Sequence, residues 1–159
     1  MEHLLRPVRA DDSDFLYRLY ASTRPEVGEF GWPLEQQEAF LRMQFNAQQR
    51  WYQMAYPVAE HNIITAEQEP IGRVLVSRDQ DSATLVDISI LPEYRRHGIG
   101  STVIRELIRQ SSFHGQILRL RVLRTNVAQR LYLRLGFLQT GEDEMYLHMA
   151  TQTAGPAKD

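Results

Sequence analysis

The residues of this 159-residue chain best suited to chemistry lie between Asp87 and Ser101, DISILPEYRRHGIGS, where an apolar strand gives way through Pro92 to a glycine-bearing helix start. Thr84, Val86, Ile88 and Ile90 recur every second residue, whereas Ile99, Val103, Leu107 and Ile108 recur at helical spacing, so the period switches between Pro92 and His97. The first N–H groups of a helix lack partners within it and carry roughly half a positive charge, and a bound phosphate satisfies both. Gly98 and Gly100 remove side chains that would block its approach. Arg95 and Arg96 add guanidinium groups, whose charge-assisted hydrogen bonds contribute about 1.5–3 kcal/mol each. The pattern suits a diphosphate; from spacing alone, an ordinary helix start carrying solvated arginines fits equally well.

The elements that must position this loop follow from the same periodicities. Leu4 to Val8 is expected as a first strand, and Asp11, Asp12, Ser13 and Asp14 as capping side chains for a helix whose apolar face is Phe15, Leu16, Leu19 and Tyr20. After a loop from Arg24 to Pro33, the residues Leu41, Phe45, Gln48, Tyr52 and Ala55 describe a long amphipathic helix that Pro57 ends. Ile63 to Ala66 and Ile71 to Ser77 form a hairpin around a turn at Glu67 to Pro70. A strand from Ala83 to Leu91, a helix from Gly98 to Ser112 and a strand from Gln116 to Leu123 come next, the last with Leu118, Leu120 and Val122 inward and Arg119 and Arg121 outward. Asn126 and Gln129 have the spacing of a capping box, Gly136 that of a left-handed helix stop, and Phe137–Gln139 and Met145–Met149 that of closing antiparallel strands.

Arg95-Arg96-His97-Gly98-Ile99-Gly100 resembles the R/Q-x-x-G-x-G/A signature of the GNAT superfamily, the acyl-CoA-dependent N-acyltransferases. The preceding Ile90-Leu91-Pro92-Glu93-Tyr94 and the later Asn126-Val127-Ala128, Leu131-Tyr132 and Leu135-Gly136-Phe137 are similar to that family in the same order. The resemblance implies an α/β (α+β) fold: a central mixed, mostly antiparallel sheet of about seven strands, splayed between strands 4 and 5 and flanked by about four helices. It implies one acyltransferase domain over residues 1–150, with 151–159 as a disordered tail. Coenzyme A, supplied as acetyl-CoA, would then rest its pyrophosphate on the backbone of Arg95, Arg96, His97, Gly98, Ile99, Gly100 and Ser101. Its pantetheine arm would pair with the main chain of Ile88, Ser89 and Ile90. Asn126 stands at a cofactor-contact position of the family, with a helix N-cap as its alternative role. Tyr132 stands where the family often places the acid that protonates the coenzyme A sulfur, with packing in the core as its alternative.

Acyl transfer from a thioester to an amine needs a neutral amine, stabilisation of a tetrahedral oxyanion and a proton for the leaving sulfur. A lysine-like amine of pKa about 10.4 is neutral in only about one molecule in 2,500 at pH 7, a deficit of roughly 4–5 kcal/mol, whereas an α-amine near 8 loses little over 1 kcal/mol. Asp87 is a candidate base, directly or through water; an ion pair with Arg119 or Arg121 is the competing role. Glu29, Phe30 and Trp32 in the loop between the first two helices, with Glu26, Trp51, Tyr52 and Tyr56, are candidates to cradle the cationic acceptor, against an ordinary aromatic-rich amphipathic helix.

Composition removes several other classes. The chain has no cysteine, which excludes a thiol nucleophile and cysteine-ligated zinc, and its histidines show no metal-ligand spacing, so no metal is expected. Lys158, near the C-terminus, is the only lysine, which argues against Schiff-base chemistry. A formal net charge of −2 gives no field to gather nucleic acid, and Arg119, Arg121, Arg124, Arg130 and Arg134 are explained by a solvated face. No apolar run approaches the roughly 18 residues of a membrane span. The expectation is a soluble, cytoplasmic N-acetyltransferase acting on a small-molecule or peptide amine, without nucleic-acid or membrane partners and with homodimerisation open. A noncatalytic acyl-CoA-binding regulatory module is the alternative.

Overall fold

The computed structural model describes residues 3–152. Strand β1 (His3–Pro7) leads through a 3-10 turn (Ala10–Asp12) to α1 (Ser13–Ser22), and a second 3-10 segment (Pro25–Phe30) leads to α2 (Leu34–Ala55). Then come β2 (Glu60–Ala66), β3 (Glu69–Arg78), β4 (Ser82–Ile90), a 3-10 turn (Pro92–Tyr94), α3 (Ile99–Phe113), β5 (Ile117–Leu123), α4 (Ala128–Arg134), β6 (Leu138–Glu142) and β7 (Tyr146–Ala150). The seven strands form one mixed sheet in the order β1-β2-β3-β4-β5-β7-β6, in which β4 and β5 run parallel and β1–β2, β5–β7 and β6–β7 antiparallel. The order of helices and strands is the one the periodicities predict.

The chain divides into two compact units, Met1–Val74 with Ser89–Tyr94, and Leu75–Ile88 with Arg95–Asp159, so that β3 and β4 each contribute to both. The core of the first unit gathers Phe15, Leu16, Leu19 and Tyr20 of α1, Phe45 of α2 and Ile63 of β2, with Leu91 packed against them. Asp12 departs from its expected capping role. Its carboxylate turns back to take a bidentate pair of hydrogen bonds from Arg6, both 2.8 Å, and one from the Arg9 N–H at 2.7 Å. Asp12 is buried, and a buried carboxylate is tolerated only when its charge and lone pairs are met. The β2–β3 turn is tighter than predicted. Glu67 (φ 52) and Gln68 (φ 72) alone make it, both in the left-handed geometry that matches strand twist in two-residue hairpins.

In the second unit, Leu118, Leu120 and Val122 of β5 are buried while Arg119 and Arg121 are exposed, as the two-residue period requires. Buried residues on α3 are Ile99, Val103, Ile104, Leu107 and Ser111. Thr151, expected to begin the tail, is tied to β5: its N–H donates to Leu118 O at 2.9 Å and its hydroxyl accepts the Leu118 N–H at 3.0 Å. The remainder of the expected tail, from residue 153, lies outside the described residues. No helix among the described residues is long and apolar enough to cross a membrane.

Candidate functional site

The second unit carries the loop that the sequence singled out. Gly98 (φ 76, ψ 6) is the N-cap residue of α3, and Arg96 (φ 65) is a second left-handed position two residues before it. Glycine adopts this geometry freely, whereas a residue bearing a Cβ loses roughly 1–2 kcal/mol there. Such strain gathers at binding and catalytic loops. The Thr102 N–H makes the first bond of the helix, to Gly98 O at 3.0 Å, and the Thr102 hydroxyl donates to the same carbonyl at 2.9 Å. The amides of Ile99, Gly100 and Ser101 therefore precede the helical ladder. Ile99 is buried and anchors the turn from beneath, while Arg95, Arg96, His97 and Gly98 are exposed.

The strand before the loop parts from its parallel neighbour. Pairing of β4 with β5 runs from Ser82↔Ile117 to Leu85↔Leu120 and stops, although β4 continues to Ile90 and β5 to Leu123. Residues paired in a parallel ladder share a face, so Asp87 continues the face of Leu85 and Leu120, and Arg119 and Arg121 stand on the other. The register thus separates Asp87 from the two arginines weighed as its partners, and the Arg121 guanidinium instead lies 4.9 Å from the ring centre of Tyr146.

Tyr132 belongs to α4. That helix closes on the left-handed Gly136 (φ 99): Gly136 N–H donates to Leu133 O at 3.1 Å and Phe137 N–H to Tyr132 O at 3.0 Å. These two bonds are the Schellman pattern. The Tyr132 ring packs edge-on against the buried Phe137, centroids 5.6 Å apart, which is the packing role weighed for it. Burial first, and then the negative charge of Asp87, push the Tyr132 phenol above its ordinary pKa. The two catalytic candidates therefore feel one another.

Val127, not Asn126, is the N-cap residue of α4, and Asn126 Oδ1 accepts the Ala128 N–H at 2.9 Å from one position earlier, an i→i+2 turn bond that leads into the helix. Gln129 does not complete the expected box. Its side chain donates to Leu123 O at 3.3 Å and to Arg124 O, while the Asn126 N–H donates to Leu123 O at 2.9 Å. A cavity of about 200 Å³ opens here, lined by Arg124, Thr125, Asn126, Val127, Gln129 and Arg130.

The first unit carries the other end of β4. Ser89 and Ile90 are half-buried, and the Leu91 N–H donates to Ile71 O at 2.8 Å. Gly72 of β3 lies beneath this segment: a Cβ built there would press on Ser89 O and stand 3.2 Å from both Cα and Cγ1 of Ile90. Sequence reasoning missed Gly72, although a lone glycine inside an apolar strand is a sign of close backbone approach.

The acceptor candidates fall into two groups. Phe30 and Trp32 stack edge-on with Phe40 of α2, with centroid distances of 5.0 Å (Phe30–Trp32), 5.3 Å (Trp32–Phe40) and 6.5 Å (Phe30–Phe40); Phe40 was not foreseen. Glu26 and Glu29 are exposed in the adjoining 3-10 segment. Trp51, Tyr52 and Tyr56 cluster separately, about 18 Å from Phe40 along the helix axis at 1.5 Å per residue. One small pocket does not hold both groups. The Tyr52 ring already carries a cation, the buried Arg73, 5.5 Å away, whose guanidinium donates to Gln49 at 2.9 Å and Gln48 at 2.8 Å. Among the described residues no group of three or more acidic or histidine side chains is arranged to hold a metal ion.

The sequence profile described as "Acetyltransferase (GNAT) domain" matches residues 49–139. No curated protein matches the chain. Among solved structures, the chain is similar to the PaiA N-acetyltransferase of Thermoplasma acidophilum, a structure in complex with coenzyme A, with a TM-score of 0.72 at 19% identity over 96% of this chain and 99% of that one. It is similar to a histone acetyltransferase HPA2-related acetyltransferase of Corynebacterium glutamicum (TM-score 0.71, 20% identity, 99% and 100% covered). A third is the ribosomal-protein-S18-alanine N-acetyltransferase of Escherichia coli (TM-score 0.67, 20% identity, 99% of each covered). At these identities the likeness is one of fold.

Proposed function

The chain belongs to the GNAT acetyltransferase family, and from that premise we propose that it transfers an acetyl group from acetyl-CoA to a primary amine by direct attack in a ternary complex, acting as one domain over residues 1–150. The observation that carries this reading is the end of the β4–β5 ladder at Leu85↔Leu120, followed by the Arg96–Gly98 turn into α3. The donor set fits the ligand's chemistry. Amides of Ile99, Gly100 and Ser101 outside the helical ladder, beside the Arg95 and Arg96 cations, suit paired phosphates. The diverging strand edge at Ile88, Ser89 and Ile90 suits an extended arm bearing amides.

When bound, acetyl-CoA supplies an activated acyl group. Tyr132, held protonated by burial and by Asp87, donates a hydrogen bond to the departing sulfur. Full proton transfer from phenol to a thiolate is uphill by about 2 kcal/mol even at ordinary pKa values, about 10 against 8.5, and the upward push on Tyr132 makes it steeper, so the phenol acts as a hydrogen-bond donor. Asp87, whose charge acts on Tyr132, orders this end of the site. Asn126, whose Oδ1 holds the turn into α4, would contact the cofactor from this side. Glu29 with the Phe30–Trp32–Phe40 rings receives the acceptor's cationic portion by charge and cation–π attraction.

The test is release of coenzyme A from acetyl-CoA across a panel of polyamines, amino acids, aminoglycosides and peptide N-termini, alongside calorimetric binding of coenzyme A. Turnover with one class supports the enzyme and names its acceptor. Binding without turnover identifies a noncatalytic acyl-CoA-binding module, and absence of binding removes the reading altogether.

A further inference from the structure

The reading above leaves unassigned the group that takes the proton from the attacking amine, and the face of the sheet opposite Asp87 holds an imidazole arranged for that work. On β7, His148 lies directly across from Arg121 of β5 and Gly141 of β6. Arg121 is the first β5 residue past the end of the β4–β5 ladder, and neighbouring strands lie about 4.8 Å apart. His148 is therefore one strand away from the mouth of the opening, its side chain on the same face as Arg121. The Arg121 guanidinium is drawn along the sheet to Tyr146, and the glycine at position 141 adds no side chain on the other flank.

His148 Nε2 lies 2.9 Å from Asp143 Oδ2. The Asp143 carboxylate also accepts the N–H groups of Met145 and Tyr146, at 2.9 and 2.8 Å, and is pulled down to about 2, first by His148 and then by these backbone bonds. An ionised carboxylate only accepts, so Nε2 carries the hydrogen and the lone pair of the neutral ring is on Nδ1. This is the logic by which an aspartate fixes the tautomer of a catalytic histidine. The charged and titratable groups on this face are Asp143 at the β6–β7 turn, Arg119 and Arg121 on β5 and Tyr146 on β7, whereas Glu142, paired with Leu147, takes the other face. Glu142 is engaged by Arg124 at 3.3 Å.

We propose that His148, oriented by Asp143, is the general base of this protein, taking the acceptor's N–H proton on Nδ1 directly or through one water; the proposal rests on the acetyltransferase reading. The amine nitrogen forms the C–N bond and the thioester C–S bond breaks. The nitrogen's proton passes to Nδ1 and from there to solvent, and the sulfur leaves as thiolate under the Tyr132 hydrogen bond.

The experiment compares the full-length protein with His148→Gln and Asp143→Asn, using the best amine from the panel. His148→Gln is expected to lower kcat about 10²-fold or more near pH 7, within the usual span for a general base, and to replace the acidic limb of the kcat/KM profile with a rate that climbs tenfold per pH unit as the amine deprotonates itself. Calorimetric affinity for coenzyme A should not change. In the ligand-free protein, ¹⁵N NMR should find the Nε2–H tautomer of His148, and Asp143→Asn should lose that preference along with part of kcat. A His148→Gln variant with the unaltered pH profile, or a His148 ring whose tautomer ignores Asp143, overturns the proposal while leaving acetyl transfer standing. An unaltered protein that turns over no amine overturns both.

Discussion

Replacing Gly72 by alanine probes the strand end proposed to meet the cofactor without adding or removing any group that donates, accepts or titrates. The new methyl would stand 3.2 Å from two carbons of Ile90 and press on the Ser89 carbonyl. Carbon pairs prefer about 3.5–4.0 Å, so β4 must move by roughly 0.3–0.8 Å at Ile90 and further at Ser89. Two effects oppose the strain: about 0.8 kcal/mol from burying a methyl and about 0.4–1 kcal/mol from stiffening the unfolded chain. Overpacking costs about 1–3 kcal/mol when neighbours can adjust. Ser89 O and Ile90 Cα are backbone atoms held beside β3 by the Leu91–Ile71 bond, and they cannot rotate away, so strain wins by about 1 kcal/mol. For a chain of this size that is a fall in Tm of about 2–4 °C. A misplacement approaching 1 Å at a reacting centre costs up to about 10²-fold, so kcat/KM for acetyl-CoA should fall between about 10- and 100-fold, far more than the stability loss alone explains. Thermal melts, coenzyme A calorimetry and steady-state kinetics make the comparison. An alanine variant with unchanged Tm, affinity and kcat/KM would show that the close approach of β3 to β4 positions nothing.

Three further outcomes are expected. Gly98→Glu should abolish coenzyme A binding with little change in the far-ultraviolet circular dichroism, since no atom lies within 4 Å of the new Cβ and the left-handed φ costs only about 1–2 kcal/mol; an unaltered calorimetric affinity refutes the phosphate assignment. Tyr132→Phe should lower kcat about 10- to 100-fold, the worth of a hydrogen bond to a developing charge, while affinity stays within about twofold; equal kinetics would reduce Tyr132 to packing. Arg6→Met should destabilise the fold by about 2–3 kcal/mol at pH 7, somewhat less than the roughly 3–5 kcal/mol for breaking a fully buried pair, because the Arg6 side chain keeps 23% of its surface in water. The Arg6 hydrogen bonds hold the Asp12 pKa below its ordinary value, so that contribution is complete above the usual aspartate range and is lost as pH falls through the depressed value. Urea melts should therefore show the Arg6→Met deficit shrinking towards pH 2, and a deficit independent of pH would contradict the ion-pair account.

What the sequence by itself determined were features set within a few residues. The alternation Leu118, Leu120, Val122 makes β5 a strand with one buried face, the spacing Ile99, Val103, Leu107 makes α3 a helix, and Gly136 ends α4 because the left-handed turn there favours a residue without Cβ. The Arg95–Gly100 motif marked the loop for the same reason, since its chemistry lies in contiguous backbone. Relations across the sheet were hidden from any such pattern. That β4 leaves β5 after Leu85, that Asp87 and Arg121 take opposite faces, that Gly72 lies under Ser89, that Phe40 joins Phe30 and Trp32, and that Asp143 reaches His148 all depend on register and chain direction. A one-residue slip in register reverses every face, and short-range propensity cannot set that register. It is fixed only when distant segments bury their apolar sides together, so tertiary structure decided which candidate side chains meet.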